Sequence, residues 1–266
     1  MKTALFTIAK DEDKYIDEFL DYYIKLGFDD IWIYQNNWRA NLKTDYNGRI
    51  HLVEFDGEAP QRPALNDFCQ KHWNEYSWVA FFDVDEFLLL KKHTNIKDFL
   101  ENYKKFPAVG LNMRLFGDSG LKKVEDENYS VINRFVHSDD KLYTLIKLII
   151  NFDVCKDRVL FFNPHIFNGQ AVDPNKTMLT MKGNFPDNKQ DEIAELAHFR
   201  NKTYEECYKR KFRNTDVMYG YLDSVDDPNS GRINIDVFNK EFEAHNHNEI
   251  LNTSILDFYK KLSNEQ

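Results

Sequence analysis

Cysteine is scarce in this chain: Cys69, Cys155 and Cys207 are the only three among 266 residues, and they are far apart. An odd, dispersed set makes neither a disulfide framework nor a zinc site, and it points to a reducing compartment. Basic charge is also short, with 35 Lys and Arg against 44 Asp and Glu for a net charge of −9. That balance argues against a nucleic-acid binder and against attraction to anionic lipid. Any anionic ligand must then be held by a metal ion or by a local cluster of Lys and Arg. Long apolar runs are missing as well. No stretch approaches the roughly 20 apolar residues of a membrane span. The apolar part of Met1–Ala9 is too short for a signal peptide and reads as a first strand. The sequence also lacks repeats, low-complexity linkers and composition breaks that would mark a domain boundary. The expectation is therefore a cytoplasmic protein forming one domain over 1–266. In such a setting the Asn-x-Ser/Thr triplets at Asn128, Asn175, Asn201 and Asn252 mean little.

What is present is apolar and aromatic: 42% hydrophobic residues, with 22 Phe and 14 Tyr, are ample for a core. Thr3–Ile8 is β-prone. Ile16, Phe19, Leu20, Tyr23 and Ile24 recur at helical spacing, with Gly27 as the C-terminal cap. Ile31–Tyr34 and Ile50–Phe55 read as strands. A break at Pro60 to Pro63 is followed by a helix over Ala64–Tyr76 and a strand from Trp78. Strands alternating with helices imply right-handed crossovers and an α/β, mostly parallel sheet over about 1–105. After a helix at Ile96–Tyr103 the pattern changes. Ala108–Arg114, Tyr129–Phe135, Tyr143–Asn151 and Val159–Phe162 read as strands in a mixed half, about 106–266. Ala194–Phe199, Tyr204–Phe212 and Ile255–Leu262 read as a return to helix.

The most informative stretch is Trp78-Val-Ala-Phe-Phe-Asp83-Val-Asp85-Glu86-Phe87, an apolar run ending in three acids. Five apolar residues before Asp83 suit a strand buried on both faces. If strand alternation continues, Asp83 and Asp85 point the same way while Val84 enters the core. Ligands of open α/β sheets sit outside the carboxyl ends of the strands. Two carboxylates there suit a hard divalent cation that also holds phosphate oxygens. Asp11-Glu12-Asp13 repeats the spacing in a polar setting and reads as charge at a helix N-terminus. Lys147, on the apolar strand Leu145–Ile149, must be paired or face a cleft.

These segments, together with Ile8–Glu12, Tyr15–Phe19, Leu26-Gly27, Trp32–Asn37, Leu115–Gly120, His198-Phe199 and Lys211, resemble glycosyltransferases of the type-A fold. The likeness is to family 92-like and bacterial family 2-like enzymes in particular. The resemblance implies an inverting transfer of a sugar from a nucleotide-sugar donor, usually a UDP-sugar, to a saccharide or glycolipid acceptor in polysaccharide or glycoconjugate assembly. It implies Mn²⁺ or Mg²⁺ as cofactor, held by Asp83 and Asp85, with His198 as a third ligand and His165 its competitor. Lys10, Asp11 and Glu12 would meet the base and ribose. Asn36 stands where relatives often carry an Asp for the nucleoside. Arg62 and Lys147 would reach the donor phosphates, although Arg62 also reads as a solvated loop residue. Asp118, between Gly117 and Gly120, is the expected base, with Glu86 and Glu125 left open. The basic stretch Lys202–Arg213 reads as a solvated helix face, or else approaches a lipid-linked phosphate at a membrane periphery. A haloacid-dehalogenase-type phosphohydrolase with Asp83 as nucleophile is the rival. A carbohydrate-binding scaffold would leave the clustered acids without a reason.

Overall fold

In Thr3–Ala9 (β1) successive side chains enter opposite cores. Leu5 and Ala9 pack on one side, and Ala4, Phe6 and Ile8 on the other. Such a strand has to lie between two helical layers, and the computed structural model of the chain shows this. It describes residues 1–125, 127–155, 157–179, 192–212, 226–227, 232–233 and 235–264. The other sheet strands are Asp30–Gln35 (β2), Ile50–Glu54 (β3), Trp78–Phe81 (β4), Glu86–Leu90 (β5), Ala108–Leu115 (β6), Ile146–Asn151 (β7) and Ala194–His198 (β8). They form one eight-stranded sheet in the order β3-β2-β1-β4-β7-β6-β8-β5. The first four are parallel, β8 is parallel to β6, and β7 and β5 run against their neighbours. One face is covered by Ile16–Leu26 (α1), Ile96–Glu101 (α3), Val131–Arg134 (α4) and Ser254–Asn264 (α7); the other by Gln61–Lys71 (α2) and a hairpin containing Phe161 and Phe167. Tyr204–Phe212 (α5) and Ile235–Ala244 (α6) pack on each other through Tyr204, Phe238 and Phe242.

The α/β, mainly parallel sheet is as the sequence predicts, and so is the cap of α1. Gly27 has φ +101°, and its N–H donates to Ile24 and Tyr23. A Cβ there would meet Asn95 at 2.5 Å, so only glycine fits.

Four expectations change. Val131–Arg134 is a helical turn inside the expected strand Tyr129–Phe135. Ser130 caps it by accepting from the Asn133 N–H, and the Glu18 carboxylate accepts from the Val131 N–H. The helix expected over Ala64–Tyr76 spans Gln61–Lys71: it begins earlier, because Pro63 in its first turn has no N–H to leave unpaired, and it ends five residues earlier, with His72 as its C-terminal cap. Ala194–His198 is a strand, paired on both edges and buried between β6 and β5, which overrides its helix-prone composition. Asp13 accepts from the Trp38 indole 2.7 Å away and so ties down a loop; the acids of the first turn of α1 are Asp17 and Glu18.

Candidate active site

Topology gathers the chemistry at one edge of the sheet. The carboxyl ends of β1, β4, β6 and β8 lie at the same edge as the amino ends of the antiparallel β5 and β7. Glu12, Asp83, Glu86, Lys147 and His198, scattered over the sequence, therefore meet there. His198 faces Glu86 across the β8–β5 pairing.

The strand stops at Phe81, and Asp83 to Glu86 form a tight turn closed by the Glu86 N–H on the Asp83 carbonyl at 3.0 Å. The two aspartates are thus not set side by side by strand alternation. Val84 is buried as expected, but Asp83 and Asp85 bind different partners. Asp83 Oδ2 accepts from Lys147 Nζ at 2.6 Å and Oδ1 from Gln61 Nε2 at 3.1 Å. Lys147 Nζ also lies 3.4 Å from the fully buried Glu86, whose Oε2 accepts the Asp83 N–H at 2.9 Å. Burial alone would lower the Lys147 pKa, but Asp83 and Glu86 outweigh it and raise it. The Glu86 pKa also rises, here toward the uncharged form: burial carries its carboxyl well above the usual range, against the pull of Lys147.

Asp85 belongs to a second group. His198 Nε2 stands 3.6 Å from its Oδ1, while Lys202 Nζ and Arg210 Nη1 stand 3.8 and 3.7 Å from its Oδ2. Burial opposes charge on Asp85, but these cationic neighbours and Lys147 hold its pKa down at about 2. Burial also drives His198 down to about 4, so near neutral pH the imidazole is uncharged and the holding falls to the lysines and the arginine. Lys202 reaches this place from a left-handed backbone (φ +58°), sparsely populated for a side-chain-bearing residue, with its ammonium 4.5 Å over the Tyr15 ring. Glu12 completes the group. Burial lifts its carboxyl to about 7 against Lys202 and Arg210, and its Oε2 finds no hydrogen-bond partner among the described residues.

A divalent ion fits this arrangement. Two donors on one ion at about 2.1 Å stand roughly 3 Å apart, close to the 3.6 Å between Asp85 Oδ1 and His198 Nε2. The neutral imidazole leaves a lone pair free, and the acid–imidazole set suits Mn²⁺.

The remaining expected residues lie as follows. Lys10 is half-buried at the end of β1 and Asp11 is exposed beside it. Asn36 is buried, and its Nδ2 donates to the Gly57 carbonyl at 2.8 Å and that of Phe55 at 3.3 Å, so the amide holds a loop. Arg62 is exposed in the first turn of α2, next to Gln61. His165 Nδ1 donates to the Ile146 carbonyl 2.7 Å away, and burial, helped by the nearby Lys147, lowers its pKa to about 4. Asp118 is 1% exposed; its Oδ1 accepts from the Gly120 N–H and Asn248 Nδ2, and its Oδ2 from Lys122 Nζ at 3.0 Å. Glu125 is exposed. In the basic stretch, Lys202 and Lys211 are buried, which corrects the reading of a solvated face; Lys209 pairs with Glu205, and Arg213 lies outside the described residues. The reading from sequence missed Lys202 as a site residue. The signal was Thr203-Tyr-Glu-Glu206, a capping box that starts α5 directly after it.

Comparison with known proteins follows the same line. The sequence model of glycosyltransferase family 92 matches residues 9–254. A family 92 glycosyltransferase of Oryza sativa subsp. japonica is 24% identical over 127 residues, covering 44% of this chain and 22% of that protein. One of Arabidopsis thaliana is 24% identical over 144 residues, covering 47% and 25%. The matches span a quarter or less of the relatives' own length. Among solved structures, TarS of S. aureus aligns with a TM-score of 0.35 and 14% identity over 57% of this chain and 28% of that one. HddC from Yersinia pseudotuberculosis aligns with a TM-score of 0.39 and 10% identity over 79% and 99%. With the family match running almost from end to end, the chain belongs to glycosyltransferase family 92.

Proposed function

We propose that this chain transfers a sugar from a nucleoside-diphosphate donor, a UDP-sugar, to an acceptor hydroxyl with inversion. The observation that carries this reading is Asp85, held ionised at the carboxyl edge of the sheet between neutral His198 and the cations Lys202 and Arg210. In the reaction the acceptor oxygen bonds to the anomeric carbon as the bond to the diphosphate breaks, and the acceptor proton passes to a carboxylate. The departing diphosphate takes the electron pair and needs positive charge around it. An acidic protein has to supply that locally, and Lys202 and Arg210 are placed to turn from Asp85 to phosphate oxygens. Asp85 and His198 would hold Mn²⁺ or Mg²⁺, which when bound shares the charge of the diphosphate. Asp83, pinned by Lys147 and Gln61, meets the ribose side. The proton acceptor is Asp118, whose Lys122 partner is 68% exposed and free to swing away. The acceptor is a saccharide or glycolipid, and the setting is polysaccharide or glycoconjugate assembly.

The phosphohydrolase reading is not favoured. The family match is to glycosyltransferases.

The test is the melting temperature with UDP, with and without Mn²⁺, in the native chain and in Asp85→Asn. UDP at a hundred times its dissociation constant stabilises by about 2.7 kcal/mol. The expected shift depends on metal and disappears in Asp85→Asn. A shift with another nucleotide but not UDP would replace the donor, and none with any nucleotide would overturn the reading.

A further inference from the structure

A short ribbon on the far side of the Asp118 loop pairs His137–Ser138 with Ile250–Leu251 antiparallel, Ser138 opposite Ile250. Continuing that register by one residue sets Asp139 opposite Glu249. Like charges directly opposed across a ribbon are destabilising unless a cation lies between them. His247, two residues before Glu249, brings an imidazole to the pair. Its Nδ1 is 3.1 Å from Glu249 Oε1 and 3.5 Å from Asp139 Oδ2. One donor atom from each of the three residues lies within 4.8 Å of the others. Donors sharing one ion at about 2.1 Å stand about 3.0 to 3.4 Å apart; the 3.1 Å distance lies in that range and the 3.5 Å distance just beyond it, so a small inward shift of Asp139 would complete the site.

We propose that Asp139, His247 and Glu249 bind a divalent cation of the Mn²⁺ or Zn²⁺ class at a site separate from Asp85 and His198. Two carboxylates carry the charge that balances such an ion, and the donor set of two oxygens and one imidazole nitrogen suits it. The backbone holds the ligands in place. The Asp139 N–H donates to the Leu115 carbonyl, Arg114 Nη1 donates to the Asp139 carbonyl, and Asp139 Oδ1 accepts from the Lys141 N–H, which leaves Oδ2 for the ion. The bound ion would lock segment 246–249 onto the loop carrying Asp118. That segment already clasps the loop: the Asp118 and Ser119 N–H groups donate to Asn246 and Asn248, and a Cβ at Gly117 would meet the His247 carbonyl at 2.4 Å. The inference does not depend on the donor or on activity.

The experiment is calorimetric titration of the chelator-treated chain with MnCl2 and, separately, ZnCl2, without nucleotide. The proteins compared are the native chain, Asp85→Asn, His247→Ala and Glu249→Gln. Asp85→Asn should keep one ion per chain and a melting temperature raised by a few degrees on metal addition. His247→Ala and Glu249→Gln should each bind that ion at least tenfold more weakly. Glu249 is about half exposed, so its amide variant keeps the fold and the test stands even where His247→Ala is unstable. Stoichiometry and affinity unchanged in both variants, or binding lost in Asp85→Asn alone, would overturn the proposal.

Discussion

Lys147 shows how much one residue can carry in this site. Its side chain is 4% exposed on a strand that is otherwise apolar up to Asn151, and it is paired with Asp83 and with Glu86, itself 0% exposed. Lys147→Met would take the ammonium away from the partly exposed Asp83 carboxylate and from the buried Glu86 carboxyl. The expected cost is about 1 to 3 kcal/mol, read from urea unfolding, since solvent can reach Asp83. Glu86→Gln should cost less than about 1 kcal/mol in the same assay, because burial already favours the uncharged acid and the amide oxygen can still accept the Asp83 N–H. An equal loss in both variants would mean that Glu86 is ionised in the fold. Asp118 is tested by kinetics. As the base it should lose about 10² to 10⁴ in kcat on conversion to Asn with KM little changed. Loss of stability with kcat intact would leave it only its loop bonds.

At the scale of an element, α5 is the one that assembles the second half of the site. Thr203 and Glu206 form a reciprocal capping box: the Thr203 N–H donates to Glu206 Oε2, and the Glu206 N–H donates to Thr203 Oγ1. The same carboxylate accepts from Tyr15 at 2.6 Å and from two Arg134 nitrogens at 2.8 and 2.9 Å. Helix α5 is thereby tied to α4 and to the start of α1, which sets Lys202 and Arg210 against Asp85. Burial would raise the Glu206 pKa, but Arg134, Tyr15 and Thr203 outweigh it and lower it from 4.5 to about 2. A carboxyl lowered in the fold stabilises at pH above its unfolded value, and that stability is lost as pH falls from about 4.5 toward 2. Unfolding free energies at pH 6 and pH 3 should therefore converge in Glu206→Gln. The native chain should lose about 2 kcal/mol more than the variant over that interval. Parallel losses in the two proteins would show that the pair contributes nothing.

For the whole molecule, the arrangement that matters is a sheet whose two halves interleave. β4 and β5 are joined by four residues yet are not neighbours in the sheet, because β7, β6 and β8 come between them. The Asp83–Glu86 turn is therefore wrapped by strands from the later half, and Lys147 and His198 arrive beside it from that half. Among the described residues no helix is long and apolar enough to cross a membrane. With a net charge of −9 the field of the molecule repels an anionic ligand, so the proposed donor would rely on local charge such as Lys147, Lys202 and Arg210.

The sequence by itself determined the α/β architecture, the α1 cap at Gly27 and the place of the acids after Phe82. These follow from local periodicity, glycine geometry and the cost of burying charge, which a single stretch of chain displays. Only the tertiary structure decided that Asp83 and Asp85 have separate partners, since the strand stops at Phe81, before either aspartate. It also decided that Lys202 is a buried site residue and that Val131–Arg134 is helical, the first through a left-handed turn before a cap and the second through a carboxylate on α1. Each of these depends on groups from distant parts of the chain meeting in space, as Asp83 meets Lys147 and Glu18 meets Val131, and no local pattern encodes such a meeting.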